Sequence, residues 1–323
     1  TSSCIRLQME EEITTTPNNV FEYLWSEADR KYSFFDYKHI NWDSVHTVYK
    51  AKINDSMTDE QLFDTLFQML CILKDAHVNL YSPFNISRYE ITLTGPQNFD
   101  YRLIKENYLG TDYYVTGPLV NDFLVNEQIG YIRYADFTDM ISNDDMDYVL
   151  TRFKDTKGLI IDVRSNGGGT PINLFRIINR FTDHKIHVFD SYVKNGPGHN
   201  DFSAPNKVYA NPEGDVKYTK TIIVLTNKGS YSATSFFTAA LKSFPNVTVV
   251  GDSTGGGAGA PTGGQLPNGW YYRLSATKTL MPDGLNFENG VPPDIDLDMN
   301  QTDMDNGIDT ILEKAMDVIF SQS

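Results

Sequence analysis

"TIIVLTNKGSYSATSFFTAALKSFPNVTVVGDSTGGGAG", Thr221 to Gly259, holds a strand, a turn, a helix and a second strand in one short run. Ile222 to Leu225 is an unbroken apolar run, the pattern of a strand buried on both faces. Phe236, Phe237, Ala240 and Leu241 then recur at helical spacing. "VTVVGD" returns as a strand. A strand, a helix and a strand in this order predict a parallel pair joined by a crossover helix, and so an α/β core. Ser230, Ser232 and Ser235 fall where the strand gives way to the helix. Serine is a preferred N-cap, so capping and nucleophilic roles compete there. Tyr231 and Ala233 flank Ser232, so this is not the G-x-S-x-G elbow. Ser230 and Ser235 read as a turn residue and a helix-surface residue.

Outward from this stretch the alternation continues. "IGYIRYADF" from Ile129 predicts a strand, "NDDMDYVLTRFKDT" an amphipathic helix, "KGLIIDV" a buried strand. "TPINLFRIINRFTD" is a helix with Pro171 tolerated in its first turn. A helix from about Gly307 to Phe320 closes the chain. Residues 13–80 read as mainly helical, with Phe21, Leu24, Trp25 and Ala28 on one face and Leu62, Leu66, Met69 and Leu73 on another; Thr58 or Asp59 would cap the second helix. Residues 85–125, "RYEITLTG", "YRLIKENYLG" and "DYYVTGPLVND", alternate and are cut by Gly, Pro and Asn, which predicts short strands. The expected organisation is a helical domain over 5–83, a small β segment over 84–127 and an α/β core over 128–323.

The chain has 323 residues, enough for a sizeable core, with 40% hydrophobic and 13% aromatic residues. Its 27 Lys and Arg against 42 Asp and Glu give a net charge of −15. That balance argues against nucleic-acid partners and against adhesion to anionic lipid. No apolar run approaches the ~20 residues of a membrane span. Neither CxxC nor HExxH occurs, so no metal and no cofactor is expected. Of the two cysteines, Cys71 lies in an apolar helical pattern and reads as a core thiol. Two readings of Cys4 stand open. "TSSC" is similar to the tail of a bacterial lipoprotein signal, whose cysteine becomes a lipid anchor and places the protein in the cell envelope; a lone cysteine near an N-terminus is equally an ordinary residue.

Four segments bear on chemistry. "GLIIDVRSNGGGT", Gly158 to Thr170, runs a buried strand into three glycines and a helix start, where backbone N–H groups can hold an oxyanion. It lacks the G-x-G-x-x-G register and has no following GK[ST], so dinucleotide and phosphate loops are disfavoured. The second segment is the opening stretch with Ser232. "LKDAHVNL" sets His77 between a helix and a strand-like run. "GLNFENGVPPDIDLD" sets Glu288 in a Gly/Pro-rich loop. Taken singly, each has a plain structural reading.

In this order the four resemble the serine peptidases that include the C-terminal processing (tail-specific) peptidases and the tricorn protease core. "GLIIDVRSNGGG" resembles that family's GLIIDLRxNxGG, and the opening stretch resembles NxGSASASEIxAGALxDxxxxxxVGExTFGKG. "LKDAHVNL" resembles the tricorn-type L-x-x-x-H segment, and "MPDGLNFENGVPPDIDL" resembles TPDGxxxExxGxxPDxxV. The resemblance implies a crotonase-type ββα core and places the nucleophile at Ser232. The lysine base of the processing peptidases falls on Gly257 and is absent. Losing the base of a serine site can cost on the order of 10⁶ in kcat. The tricorn branch implies His77 as base instead and Glu288 as its orienting acid. A second serine expected just before the histidine is replaced by Ala76, with Asp75 adjacent. The implied oxyanion hole is the backbone N–H of Gly168, or of its neighbours Gly167 and Gly169, with that of Ala233. Lys228 and Lys278 rank below His77 as bases. The segment 84–127 is too short for the PDZ module of the processing peptidases. "KNGPGHNDFSAP", Lys194 to Pro205, is expected to line the cleft, with His199 as a hydrogen-bonder there. The implied substrate is a peptide or unfolded protein. The rival reading is an inactive family member that binds peptide or lipid. A crotonase-like acyl-transfer enzyme is disfavoured by the lack of a basic patch for coenzyme A phosphates.

Overall fold

A computed structural model describes residues 15–322; Cys4 lies outside the described residues. In chain order the elements begin with α1 (Pro17–Lys31), α2 (Trp42–Lys50), α3 (Asp59–Cys71) and β1 (Asn79–Tyr81). A 3-10 turn at Ile91–Thr94, α4 (Tyr101–Ile104) and a π-helical turn at Lys105–Leu109 follow. Next come β2 (Tyr114–Thr116), β3 (Leu119–Leu124), β4 (Ile129–Tyr134), α5 (Asn143–Arg152), β5 (Gly158–Asp162), α6 (Pro171–Ile178), β6 (Ile186–Val193) and β7 (Asn206–Ala210). The chain ends with β8 (Thr221–Thr226), α7 (Ala233–Leu241), β9 (Val247–Gly251), β10 (Pro261–Gln265), β11 (Tyr271–Ser275), β12 (Thr277–Leu280), β13 (Ile295–Asp296), α8 (Gln301–Asp305) and α9 (Thr310–Ser321). The described residues form two compact units: 15–90 with Tyr192–Ala204 and Gly259–Lys278, and Ile91–Ser191 with Pro205–Ala258 and 279–322.

In the first unit, helices α1 to α3 pack with the antiparallel sheet β1-β11-β10. Thr58 caps α3 through a capping box with Gln61, which decides between the two cap candidates. Trp25 and Trp42 each donate an indole N–H to the other's carbonyl, at 3.2 and 3.1 Å, locking α1 to α2. Phe63 meets Trp270 edge-on, tying α3 to the sheet hairpin.

The second unit is built on a seven-stranded sheet, β13-β9-β8-β5-β4-β3-β2. Strands β13, β9, β8, β5 and β4 run parallel, β3 runs antiparallel to β4, and β2 pairs antiparallel with β3. This is the parallel α/β core that the alternation of buried strands and helices predicts. The apolar stripe of α9 (Ile311, Leu312, Ala315, Ile319) buries against Ile160, Ile223 and Val250. Each such aliphatic side chain contributes ~1.5–3 kcal/mol when fully buried.

One expectation is corrected. Within 91–109 the regular elements are helical rather than stranded: the 3-10 turn at Ile91–Thr94, α4 and the π-helical turn at Lys105–Leu109. Asp100 caps α4 by accepting from the N–H groups of Arg102 and Leu103. Leu103, Ile104 and Tyr108 then meet the α9 core at helical spacing. Gly110, which looks like strand punctuation, caps the π-helical turn, whereas Gly117 does separate two strands, β2 and β3.

Candidate active site

In the second unit, Ser232 stands just before the first residue of α7 and does not spend its side chain capping that helix. Its backbone has φ +57 and ψ −121. Such a conformation costs a non-glycine residue about 1–3 kcal/mol and persists only where its surroundings over-determine it. They do here. Tyr231 N–H donates to the Asn166 carbonyl, Ser232 N–H to the Gly256 carbonyl and Gly255 N–H to the Ser230 carbonyl, all within 2.9 Å. The turn is stitched on one side to the glycine loop after β5 and on the other to the loop after β9.

Ser230 is buried and donates to the Val163 carbonyl at 2.8 Å. Ser235 is also fully buried, which corrects its reading as a helix-surface residue. It donates to Thr254 Oγ1 and accepts from Gly256 N–H, because α7 is enclosed on nearly every side.

The glycine loop lies directly against this turn. Gly168 has φ +96, and a Cβ there would lie 2.7 Å from the Tyr231 carbonyl oxygen and 2.9 Å from Ala233 N and Ser232 Cβ. No side chain fits, so the Gly168 backbone closes on the serine. The N–H of Ala233 is the first amide of α7 and has no acceptor within the helix. The N–H of Gly168 donates to Asn166 Oδ1 at 2.9 Å. That same oxygen accepts from Thr234 Oγ1 at 2.7 Å, and Asn166 Nδ2 donates to the Tyr134 carbonyl. Buried Asn166 is therefore the joint between glycine loop and helix. Sequence reasoning passed over it, although the motif that carries it was in view.

Glu288 belongs to the same unit and is 4% exposed. Its Oε2 accepts the Ala258 N–H at 2.9 Å and its carbonyl accepts the Gly257 N–H at 3.0 Å. One loop, Gly256 to Ala258, thus connects Ser232 to Glu288. Gly257, on which the lysine of the resemblance falls, has φ +83. A Cβ there would lie 2.7 Å from the Tyr231 ring, which fills the space such a side chain would need.

His77 belongs to the first unit, between α3 and β1, and is 5% exposed. Its backbone N–H donates to Asp75 Oδ1 at 2.8 Å. The other oxygen of Asp75 accepts from Ser275 Oγ at 2.8 Å, from a strand 200 positions away. Burial pushes the His77 imidazole below the ordinary histidine value; the Asp75 charge and a hydrogen bond to the Gly259 carbonyl oppose this without reversing it. A neutral imidazole results, the form a general base needs. Asp75 is buried too, but Lys38, His77 and the Ser275 hydrogen bond hold its carboxyl below the usual carboxylate range. Lys38 Nζ donates to the carbonyls of Leu73 and Lys74, fixing the turn before His77. Ser275, invisible as a partner in the sequence, is thus part of the histidine's setting.

The structure brings Gly168, Ser232, Ala233 and Glu288 together in one unit and sets His77 with Asp75 and Ser275 in the other. Gly167 is open, with nothing within 4 Å of a Cβ built on it. The Lys278 ammonium lies over the rings of Phe202 and Tyr192, at 4.2 and 4.9 Å. Lys228 lies near Asp252, whose carboxyl burial pushes above its ordinary value while the lysine charge opposes this without reversing it. His199 pairs with Asp29 at 2.7 Å and stacks on Phe35, holding the 194–202 loop within the first unit. Among the described residues, no group of His, Cys, Asp and Glu could hold a metal.

The profile of peptidase family S41 matches residues 128–297, and that of the tricorn protease C1 domain matches residues 14–71. The chain is 28% identical over 172 residues to the carboxy-terminal processing protease CtpA of Bacillus subtilis (strain 168). That match covers 53% of this chain and 35% of the relative, so the chain accounts for about a third of that protein's length. A candidate peptidase from Parabacteroides merdae ATCC 43184 is 40% identical and superposes with a TM-score of 0.92 over 96% of this chain and 98% of its own. A lipoprotein from Streptococcus agalactiae shares the fold, with a TM-score of 0.58 at 14% identity over 98% of this chain and all of its own.

Proposed function

The chain belongs to peptidase family S41, and from that premise we propose that it is a serine peptidase in which Ser232 is the nucleophile, His77 the base and Glu288 the acid that orients the base. The observation that carries this reading is the Ser232 turn: a strained serine whose side chain does not cap its helix, closed on by a glycine that tolerates no Cβ. Ser232 Oγ attacks the peptide carbonyl while His77 takes its proton. His77 then gives that proton to the leaving amine, and a water activated in the same way releases the acyl group and restores Ser232. The oxyanion is held by the N–H of Ala233 and by a glycine-loop N–H. For Gly168, whose N–H now donates to Asn166, the oxyanion replaces or shares that acceptor; Gly167 offers the neighbouring amide. One such donor is worth ~2.7–4 kcal/mol in the transition state.

The same reading assigns the catalytic core to a crotonase-type ββα arrangement over 128–323. The helical stretch 5–83 supplies the base, and 84–127 stands where the processing peptidases carry a PDZ module. In support, the regular elements within 91–109 are short helical turns, and β2 and β3 extend the large sheet rather than form a separate body. Substrates are peptides or unfolded proteins. We place the protein in the bacterial cell envelope, supported by the "TSSC" segment and by the fold shared with the streptococcal lipoprotein; among the described residues no helix is long and apolar enough to cross a membrane.

One observation favours the rival, an inactive binder: Gly257 stands where the processing peptidases keep lysine. A fluorophosphonate probe separates the two. Labelling at pH 7–8 that is lost in Ser232→Ala and in His77→Ala is expected. Well-folded protein that takes no label would decide for the binder.

A further inference from the structure

The sheet of the first unit ends at β10, which has β11 on one side and no strand on the other among the described residues. In an antiparallel pair, successive residues alternate between facing the partner strand and facing away. Ala276 N–H donates to the Ala260 carbonyl, and Leu266 N–H donates to the Trp270 carbonyl. Even-numbered residues of this strand therefore turn their backbone groups toward β11. Odd-numbered residues turn theirs outward. Pro261, which has no N–H, sits at an outward position and costs the sheet nothing. Gly263 and Gln265 each present an N–H and a carbonyl outward, and both residues are exposed.

Edges of this kind are usually blunted by charge, bulge or cover, because they pair with any extended chain. Beyond its first residue β10 carries none of these. Concavities flank the strand instead. One, of about 630 Å³, is bordered by Pro261, Thr262, Lys31 and Lys194; the other, of about 500 Å³, by Gly263, Gly264, Tyr81 and Tyr271. The strand also starts two residues after Gly259, whose carbonyl hydrogen-bonds the His77 imidazole.

We propose that the outer edge of β10 is a binding subsite that takes an extended stretch of unfolded polypeptide as an added strand. Gly263 and Gln265 read its backbone, and alternate side chains fall into the two concavities. Recognition is through main-chain groups, so sequence preference is weak. The occupant is substrate because the strand continues from the residue that holds the base. This rests on the peptidase reading, and a binding measurement separates the two.

The test uses the full chain carrying Ser232→Ala and fluorescein-labelled β-casein as the probe, followed by anisotropy. Adding Gln265→Pro removes one outward N–H and no sheet bond, and should weaken binding about 3- to 10-fold. Residue-resolved amide exchange guards against a variant that folds poorly: casein should slow exchange at Gly263 and Gln265, and leave Thr262 and Gly264 unchanged, since they are already bonded inward. Unchanged affinity in the proline variant overturns the subsite, as does unchanged exchange at 263 and 265. So does a dimer by sedimentation in which those two amides are protected before casein is added. None of these outcomes touches probe labelling of Ser232.

Discussion

Gly168→Ala should be close to a knockout, while Gly167→Ala, one residue earlier, should be nearly silent. At Gly168 the new methyl would lie 2.7 Å from the Tyr231 carbonyl oxygen, 2.9 Å from Ala233 N and 2.9 Å from Ser232 Cβ. All three are too close, and none belongs to the far end of a flexible side chain. The φ of +96 adds about 1–3 kcal/mol of backbone strain for any residue with a Cβ. The chain can relieve this only by moving the serine turn or the glycine loop. Either shift displaces the nucleophile from an oxyanion donor. Losing one donor costs ~10²–10³ in kcat, and a 1 Å misplacement alone costs about 10². We therefore expect kcat on fluorescein-casein to fall at least 100-fold, with KM changed little and fluorophosphonate labelling slowed in proportion. Gly167→Ala meets nothing within 4 Å and keeps its amide, so it should stay within about 3-fold of the parent. If Gly168→Ala keeps a tenth of the activity, or the two variants fall together, the glycine loop does not serve the serine.

Three further perturbations read other parts of the design. Asp75→Asn removes the charge that raises the His77 pKa, so the acid limb of the kcat/KM profile should move to lower pH; a shift to higher pH would contradict the assignment. Asp309→Ala strips a partner from Arg164, which is fully buried and also paired with Asp162, and should cost ~3–5 kcal/mol in urea unfolding; a loss under 1 kcal/mol would mean the pair is not buried as described. Gly257→Lys should lower stability by about 1–3 kcal/mol and fail to restore activity to His77→Ala, because the side chain would need the Tyr231 ring's space at φ +83; thermal melts and casein assays check both.

The alternation of β4, α5, β5, α6, β8, α7, β9 and α9 was legible because β5 and β8 are apolar runs and each of these helices carries its own stripe, whereas β7, β12, β13 and α8 went unread. Those signals are local. The serine turn was half legible: the sequence located a strand-to-helix junction with three serines, but the burial of Ser235 and the strain at Ser232 depend on the loops after β5 and β9. Residues 91–109 misled because Gly and Asn punctuate helix ends as readily as strand ends. The contact of Asp75 with Ser275 could not be read at all. It joins positions 200 apart, and neither residue is unusual in its own neighbourhood.

The missing lysine looks in sequence like a loss at one position, and the structure turns it into a pair of linked changes. In the motif that the opening stretch resembles, the residue before the nucleophile is alanine; here it is Tyr231. Its ring lies 2.7 Å from where a Cβ on Gly257 would be. With the ring in this place, a side chain at 257 would have to push it aside and hold a positive φ, so the two positions are packed against each other. Tyr231 also pairs its backbone with Asn166, and a parallel bridge links it to Gly256, so the ring that excludes the lysine sits on the segment that aims Ser232. On the reading proposed above the base comes from elsewhere in the chain, and the His77 imidazole, which burial holds below the ordinary histidine value against the opposing Asp75 charge, is the group whose replacement tests that reading.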